Sequence, residues 1–248
     1  MQSSKRIRLF AGPNGSGKST LFQEFSKDFK QNTGFFVNAD KLEKELSQSG
    51  FIDLKQIGIS VNQSDLDEFK LAPSSISLFD KATKENHPIN VYIKEDCIVD
   101  SSKDTHSYEG SFIAAFIRHL LIKNNKSFSF ESVMSHPSKI NEIKEAIQHG
   151  YKPYLYFVCI DSPTVNKSRV IDRVKKGGHA VSEDKIEERY YRTLELLHKI
   201  LPICYRAYLF DNSGKNLQLI AELYKESLVL MTETPPKWFV NYVLPHYK

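Results

Sequence analysis

FAGPNGSGKSTL, residues 10–21, satisfies G-x-x-x-x-G-K-[ST] at every fixed position, from Gly12 through Pro13, Asn14, Gly15, Ser16 and Gly17 to Lys18 and Ser19. A short apolar run, Arg6–Ala11, precedes it and reads as a buried strand, while Leu21, Phe22, Phe25 and Phe29 follow at helical spacing. Strand, glycine loop and helix is the context in which this motif cradles phosphates. Gly15 and Gly17 let the backbone curl so that successive N–H groups converge on an anion, and a helix beginning near Lys18 adds the positive end of its dipole. Lys18 is expected to reach the β- and γ-phosphates of ATP and the Ser19 hydroxyl to ligate Mg2+. Residues Gly12 to Thr20 are therefore the expected nucleotide-binding segment.

Outward from the loop, further strands are predicted at residues 34–38, 126–131, 154–160 and 206–210, each apolar enough for a sheet covered on both faces. Residues 140–149, 163–176, 182–200 and 217–231 carry apolar side chains at three- and four-residue spacing and read as helices, with Gly150 where a C-cap glycine belongs. The alternation predicts an α/β fold of the P-loop, kinase-like type. Its five-stranded, mainly parallel sheet would be covered by helices on both faces, in one domain spanning residues 1–248. Between residues 51 and 123 the rhythm breaks. Strand-like stretches at 89–93 and 97–99 and helical ones at 74–82 and 111–122 read as an insertion. After Met231, Pro235-Pro236 ends the last helix. The tail, residues 232–248, carries Trp238, Phe239, Tyr242 and Tyr247 and is expected to pack on the body.

Composition excludes more than it selects. With 40% hydrophobic residues the chain can build an ordinary core. A formal charge of +4, from 34 basic and 30 acidic residues, suits an anionic ligand and falls short of a nucleic-acid footprint. Cys97, Cys159 and Cys204 are too scattered for a disulfide framework or a zinc site. No apolar run reaches membrane-spanning length, so a cytoplasmic protein without a membrane partner is expected.

Phosphate binding alone does not decide between a switch, a motor and a phosphotransferase. A guanine-reading Asn/Thr-Lys-x-Asp element is missing: Thr83-Lys84-Glu85-Asn86 lacks the Asp. Gly177-Gly178-His179 is a poor match to the Leu-Ser-Gly-Gly-Gln signature of ABC-type ATPases. Three features point to transfer. Asp40, after the second strand, could accept the proton of an attacking hydroxyl, or equally could cap the helix that follows. Glu131-Ser132 ends the third strand, where a carboxylate could hold Mg2+ through water or bind a substrate hydroxyl, or be a solvated strand end. Residues 172–192 read as the core of a lid: Arg169 and Arg173 share one helix face, Gly177-Gly178 could hinge, and Arg189 and Arg192 return on the next helix. Such arginines could meet the charge that builds during transfer, although Glu183, Glu187 and Glu188 could equally pair with them. Asp211-Asn212-Ser213 follows the last strand, where the adenine would lie or a plain turn would sit.

Together these residues resemble the zeta toxin family of P-loop kinases, and most closely its stand-alone branch known as predicted ABC-type ATPases. The resemblance rests on Ala11 to Thr20, Asn38-Ala39-Asp40, Phe128 to Ser135, Arg169 to Val181, Ile186 to Arg192 and Asp211-Asn212-Ser213. It implies an ATP- and Mg2+-dependent kinase acting on a small-molecule hydroxyl, with a nucleotide sugar, UDP-N-acetylglucosamine, as the acceptor of the best-known members. By the same resemblance Asp40 would be the general base, Lys18 and Ser19 the phosphate and metal ligands, and Glu131 a substrate or metal-shell carboxylate. Arg173 and Arg189 would clamp the γ-phosphate. The insertion at 51–123 occupies the place from which this fold builds its acceptor site, and the toxin members pair with a small antitoxin protein. Two other readings stand beside this one: the same chemistry on a nucleic-acid or protein hydroxyl, and an ATP-binding switch or scaffold without transfer.

Overall fold

Strand β1 (Arg6–Ala11) runs straight into the glycine loop, and helix α1 (Lys18–Asp28) leaves it. The computed structural model describes residues 4–28, 33–102, 105–177 and 180–247. The chain divides into two units, residues 1–34 with 129–248, and residues 35–128. In chain order the second unit supplies β2 (Phe35–Val37), α2 (Ala39–Ser49), β3 (Phe51–Asp53), α3 (Gln63–Lys70), α4 (Pro73–Lys84), β4 (Val91–Lys94), β5 (Cys97–Asp100) and α5 (Ser107–Lys123). The first unit resumes with β6 (Phe128–Ser132), α6 (Ser138–Gln148), β7 (Lys152–Cys159), α7 (Pro163–Lys175), α8 (Glu183–Ile200) and β8 (Arg206–Asp211). It ends with β9 (Gln218–Tyr224), β10 (Ser227–Leu230) and α9 (Lys237–Tyr242).

Six strands of the first unit lie in the order β10-β9-β8-β7-β1-β6. β1 pairs in parallel with β7, and β7 with β8, with Leu9 opposite Leu155 and Phe157 opposite Leu209. These residues alternate onto one face and are buried there with Ile7, Ala207 and Leu223, the core on which the unit rests. On the opposite face Phe10 meets α1, its ring 5.1 Å from Phe22 and 5.6 Å from Phe25. Each of the five predicted strands is present, and the P-loop α/β architecture is the observed one.

The predicted helix at 217–231 is instead the antiparallel hairpin β9–β10. Ala221 and Leu223 alternate inward opposite Leu209 and Ala207, and a bulge absorbs Ile220. Lys225 and Glu226 form the turn in left-handed conformation, with φ of 49° and 68°. Such a turn usually carries Asn-Gly. Without that marker, and with the bulge imitating a four-residue step, the period misled. The tail behaves as expected. Trp238 and Phe239 are buried, Asp161 accepts from the Lys237 and Trp238 amides at 3.0 and 2.7 Å, and the Trp238 indole donates to Asp211 at 2.9 Å.

The second unit holds a separate antiparallel sheet, β3-β5-β4, so the strands predicted at 89–93 and 97–99 are present as β4 and β5. Its long apolar helix α5 packs on α2. At Gly110 a Cβ would stand 2.8 Å from the Ala39 carbonyl oxygen, so glycine is what lets the two helices approach so closely. α3 was not anticipated; its start is marked by a capping box between Asn62 and Asp65. Phe29, Gly178 and His179 lie outside the described residues. Among those described, no helix is long and apolar enough to cross a membrane.

Candidate phosphate-binding site

The loop between β1 and α1 is shaped by its neighbours as well as by its own sequence. Gly12, Gly15 and Gly17 take φ of 143°, 75° and 108°, a region that side chains enter at a cost. Each is also crowded. A Cβ on Gly12 would overlap the Val158 carbonyl oxygen, one on Gly15 would sit 2.7 Å from that of Asn166, and one on Gly17 would sit 2.5 Å from Asn212 Nδ2. Three segments, the end of β7, the first turns of α7 and the residue after β8, therefore press on the loop.

Hydrogen bonds orient what the glycines permit. Asn166 Nδ2 donates to the Asn14 carbonyl at 2.5 Å, Asn212 Nδ2 to that of Ser16 at 2.7 Å, and Lys18 Nζ to that of Pro13 at 2.9 Å. A trans peptide points its N–H away from its C=O. Carbonyls drawn to these donors leave the following N–H groups on the opposite side, the arrangement that makes an anion nest. Ser16 Oγ is fully buried without a hydrogen-bond partner among the described residues, as are Asn14 Oδ1 and Asn166 Oδ1. An orphaned buried group costs about 1–3 kcal/mol, and a bound phosphate oxygen would accept from the Ser16 hydroxyl.

At the start of α1 the Ser19 hydroxyl donates to Glu131 Oε2 at 2.8 Å, and Lys18 Nζ lies 4.0 Å from Glu131 Oε1. Glu131, from the end of β6, is thus brought onto the loop's lysine and serine rather than left as a solvated strand end. Ser132 Oγ accepts from the Met134 amide at 3.0 Å and helps close the turn that follows β6.

The four arginines of the expected lid separate. Arg169 Nη2 donates to the Asn212 carbonyl at 3.1 Å and so sits beside the loop. With Asp172, Arg173, Lys176 and Gly177 it lines an open hollow of about 410 Å3. Arg192 pairs with Glu188 at 2.7 Å along α8, as the acidic residues of that helix suggested. Arg189 is half-buried; its carbonyl accepts from Thr193 Oγ1, which also reaches the Val133 carbonyl at 2.9 Å. Lys167 and Glu187, 2.6 Å apart, tie α7 to α8.

Asp40 belongs to the second unit and occupies the first turn of α2. It is not the helix cap. Asn38 is, with its side chain accepting from the Lys41 amide at 3.0 Å. Asn166 is the residue that sequence reasoning missed: nothing marks one asparagine inside a predicted helix, and its value lies in meeting Asn14 from 152 positions away.

The family model described as Zeta toxin matches residues 66–217, more than half of the chain. That span includes Glu131, the arginines and Asn212 and leaves out the glycine loop and Asp40. An uncharacterized protein of Haemophilus influenzae (strain ATCC 51907 / DSM 11121 / KW20 / Rd) is 36% identical over 72 residues, 29% of this chain and 51% of the relative. The chain thus matches about half the length of that relative. Among solved structures, the AvrRxo1-ORF1:AvrRxo1-ORF2 complex with sulphate ions superposes at a TM-score of 0.58 with 12% identity, over 93% of this chain and 62% of that one. The same complex with ATP gives 0.52 and 14%, over 93% and 61%. At such identities the likeness is one of fold, shared with a longer chain.

Proposed function

The chain belongs to the zeta toxin family, and from that premise we propose that it is an ATP-dependent kinase which phosphorylates a hydroxyl group of a small molecule, with nucleotide sugars such as UDP-N-acetylglucosamine the first acceptors to try. The observation that carries this reading is the union of Lys18, Ser19 and Glu131 at a loop whose carbonyls are turned outward. ATP bound to a protein of the same fold supports the choice of nucleotide.

In this reading the N–H groups of residues 14–19 and the Ser16 hydroxyl hold the phosphates, and Lys18 moves from Pro13 onto the β- and γ-oxygens. Ser19 and Glu131 offer a hydroxyl and a carboxylate, a hard oxygen pair that fits Mg2+ completed by phosphate oxygens and water. The bound ion would neutralise charge on the transferring phosphate. Arg169 and Arg173 lie along the hollow beside Asn212, the place for the nucleotide's distal parts and for charge developing on the γ-phosphate. Asp40 takes the proton as the acceptor oxygen bonds to the γ-phosphorus. The bond from that phosphorus to the β–γ bridging oxygen breaks, and ADP leaves. With Asn38 capping α2, the Asp40 carboxylate is not committed to that task. The insertion at 51–123 would select the acceptor, and a small partner protein comparable to an antitoxin would regulate the enzyme.

The test is phosphate transfer from γ-labelled ATP and Mg2+ to a panel of nucleotide sugars, with wild type beside Asp40→Asn and Lys18→Ala. Asp40→Asn is expected to lose about 100- to 10,000-fold in kcat while keeping ATP affinity. Lys18→Ala is expected to lose both. An Asp40→Asn enzyme with undiminished turnover would remove the base. A wild type that binds ATP and labels no acceptor would replace the kinase by a nucleotide-dependent switch.

A further inference from the structure

Strand β10 is the outermost strand of the first unit's sheet, and among the described residues no strand pairs with its outer side. The Met231 amide donates to the Ile220 carbonyl at 2.9 Å. In an antiparallel ladder, residues whose N–H and C=O face the neighbouring strand alternate with residues whose groups face away from it. Met231, Val229 and Ser227 therefore turn theirs towards β9, the last two opposite Glu222 and Tyr224, while Leu228 and Leu230 turn theirs outward. The outer side of β10 thus offers two donors and two acceptors in a row.

The side chains along this edge are apolar. Val229, Leu230 and Met231 are 53%, 43% and 53% exposed. Natural edges are commonly protected by charge or proline, and Ser227–Leu230 has neither. Charge stands at the ends instead: Lys225 and Glu226 form the turn before the strand, and Glu233 follows it. Lys225 and Glu233 are exposed and lie at equal distances along the chain from Val229, on either side of it. Lys225 rests over the Tyr224 ring at 5.4 Å, and neither residue is in an ion pair among the described residues.

We propose that β10 pairs antiparallel with β10 of a second copy of this chain, about a two-fold axis at Val229. Such an axis, perpendicular to the sheet, keeps each face on its own side. Leu228 then faces Leu230 of the second copy and Leu230 faces its Leu228, and each of these pairs exchanges both N–H···O=C bonds. Val229 meets Val229, Ser227 meets Met231, and Lys225 meets Glu233. The strand is therefore complementary to itself in hydrogen bonding, in apolar contact and in charge. Other registers lose this match: an axis at Leu228 sets Glu226 against Leu230, and one at Leu230 sets Ser227 against Glu233. An isologous contact of this kind occupies both edges once and closes, so it stops at a dimer. Pairing of so short a strand buries less than the roughly 1,200–2,000 Å2 of a stable complex, so the dimer is expected to form reversibly at high concentration.

The experiment is sedimentation velocity of the full chain from about 2 to 400 µM, with amide hydrogen exchange read residue by residue at both ends of that range. The weight-average sedimentation coefficient is expected to rise towards that of a dimer. Exchange at Leu228 and Leu230 should slow with concentration, while that at Val229 and Met231, already bonded to β9, should change little. Val229→Lys places like charges against each other on the axis and should weaken association at least about tenfold. Glu233→Lys should weaken it about threefold, and adding Lys225→Glu should restore it. Thermal midpoints report whether each variant keeps the fold, and the exchange pattern of the wild type tests the pairing without any variant. A sedimentation coefficient that stays monomeric throughout would overturn the proposal. Association that leaves exchange at Leu228 and Leu230 unchanged would do the same, because it would assign the dimer to another surface.

Discussion

The two faces of the first unit's sheet are built from the same strands and stabilised in different ways. On one, Ile7, Leu9, Leu155, Phe157, Ala207, Leu209 and Leu223 are all but fully buried, and the face is held by removal of apolar area from water. On the other, Arg6, Arg8, Tyr154, Arg206 and Tyr208 alternate with them residue by residue, and contacts between cations and rings replace much of that burial. α1 covers this second face where Phe10 and Tyr156 meet Phe25. Arg8 is buried, whereas Arg6, Tyr154, Arg206 and Tyr208 are half-buried and Tyr224 is exposed. A strand can thus serve a core and a polar surface at once, because its side chains point to opposite faces with a period of two.

The sharpest way to break the contrast is truncation at neighbouring positions of β7. Phe157→Ala is expected to cost about 3–5 kcal/mol in urea unfolding, as a large ring lost from a packed core does. Tyr154→Ala on the other face should cost about 1–2 kcal/mol, since water can replace part of what is lost. Equal losses would mean that the second face is as dry as the first.

Alkaline titration gives the next largest effect. Burial pushes the Tyr156 phenol up to about 12, against about 10 in the unfolded chain. The folded state therefore holds its proton more firmly. The stability this contributes is complete below pH ~10 and is lost as pH rises towards about 12. Tyr156→Phe should move the alkaline unfolding midpoint upward; an unchanged midpoint would show that this ring does not set the limit.

Smaller effects sharpen the picture. Arg206→Ala should cost under about 1 kcal/mol, because its side chain is 40% exposed and its pairing with Glu222 is screened by water. Cys159, on the core face, has its thiol pKa raised by burial, whereas Cys97 in the second unit is partly exposed. A thiol reagent should label Cys97 in the native protein and reach Cys159 once the chain unfolds.

How far the chain was legible from its sequence follows from how local each feature is. The glycine loop needs a spacing of eight residues and three backbone conformations, all encoded in Gly12 to Ser19. The five predicted strands announce themselves by apolar runs. The hairpin β9–β10 did not, because its turn is Lys225-Glu226 and its bulge imitates helical spacing. Asn38 rather than Asp40 caps α2, a choice between two good capping residues that φ and ψ at each position decide. Of the four lid arginines, among which the resemblance favours Arg173 and Arg189 as clamps, Arg169 is beside the loop and Arg192 is spent on Glu188.

The sequence by itself determined that this chain has a phosphate loop in a strand-loop-helix setting, a mainly parallel sheet and the motifs of the zeta toxin family. Each depends on residues close together along the chain. Tertiary structure decided which distant side chains complete the loop: Asn166 on Asn14, Asn212 on Ser16, Glu131 on Ser19. It also decided that one sheet face gathers Arg8, Tyr154, Arg206 and Tyr224 into a row. Those four residues span more than two hundred positions, and what brings them together is the register of paired strands, which no local spacing specifies.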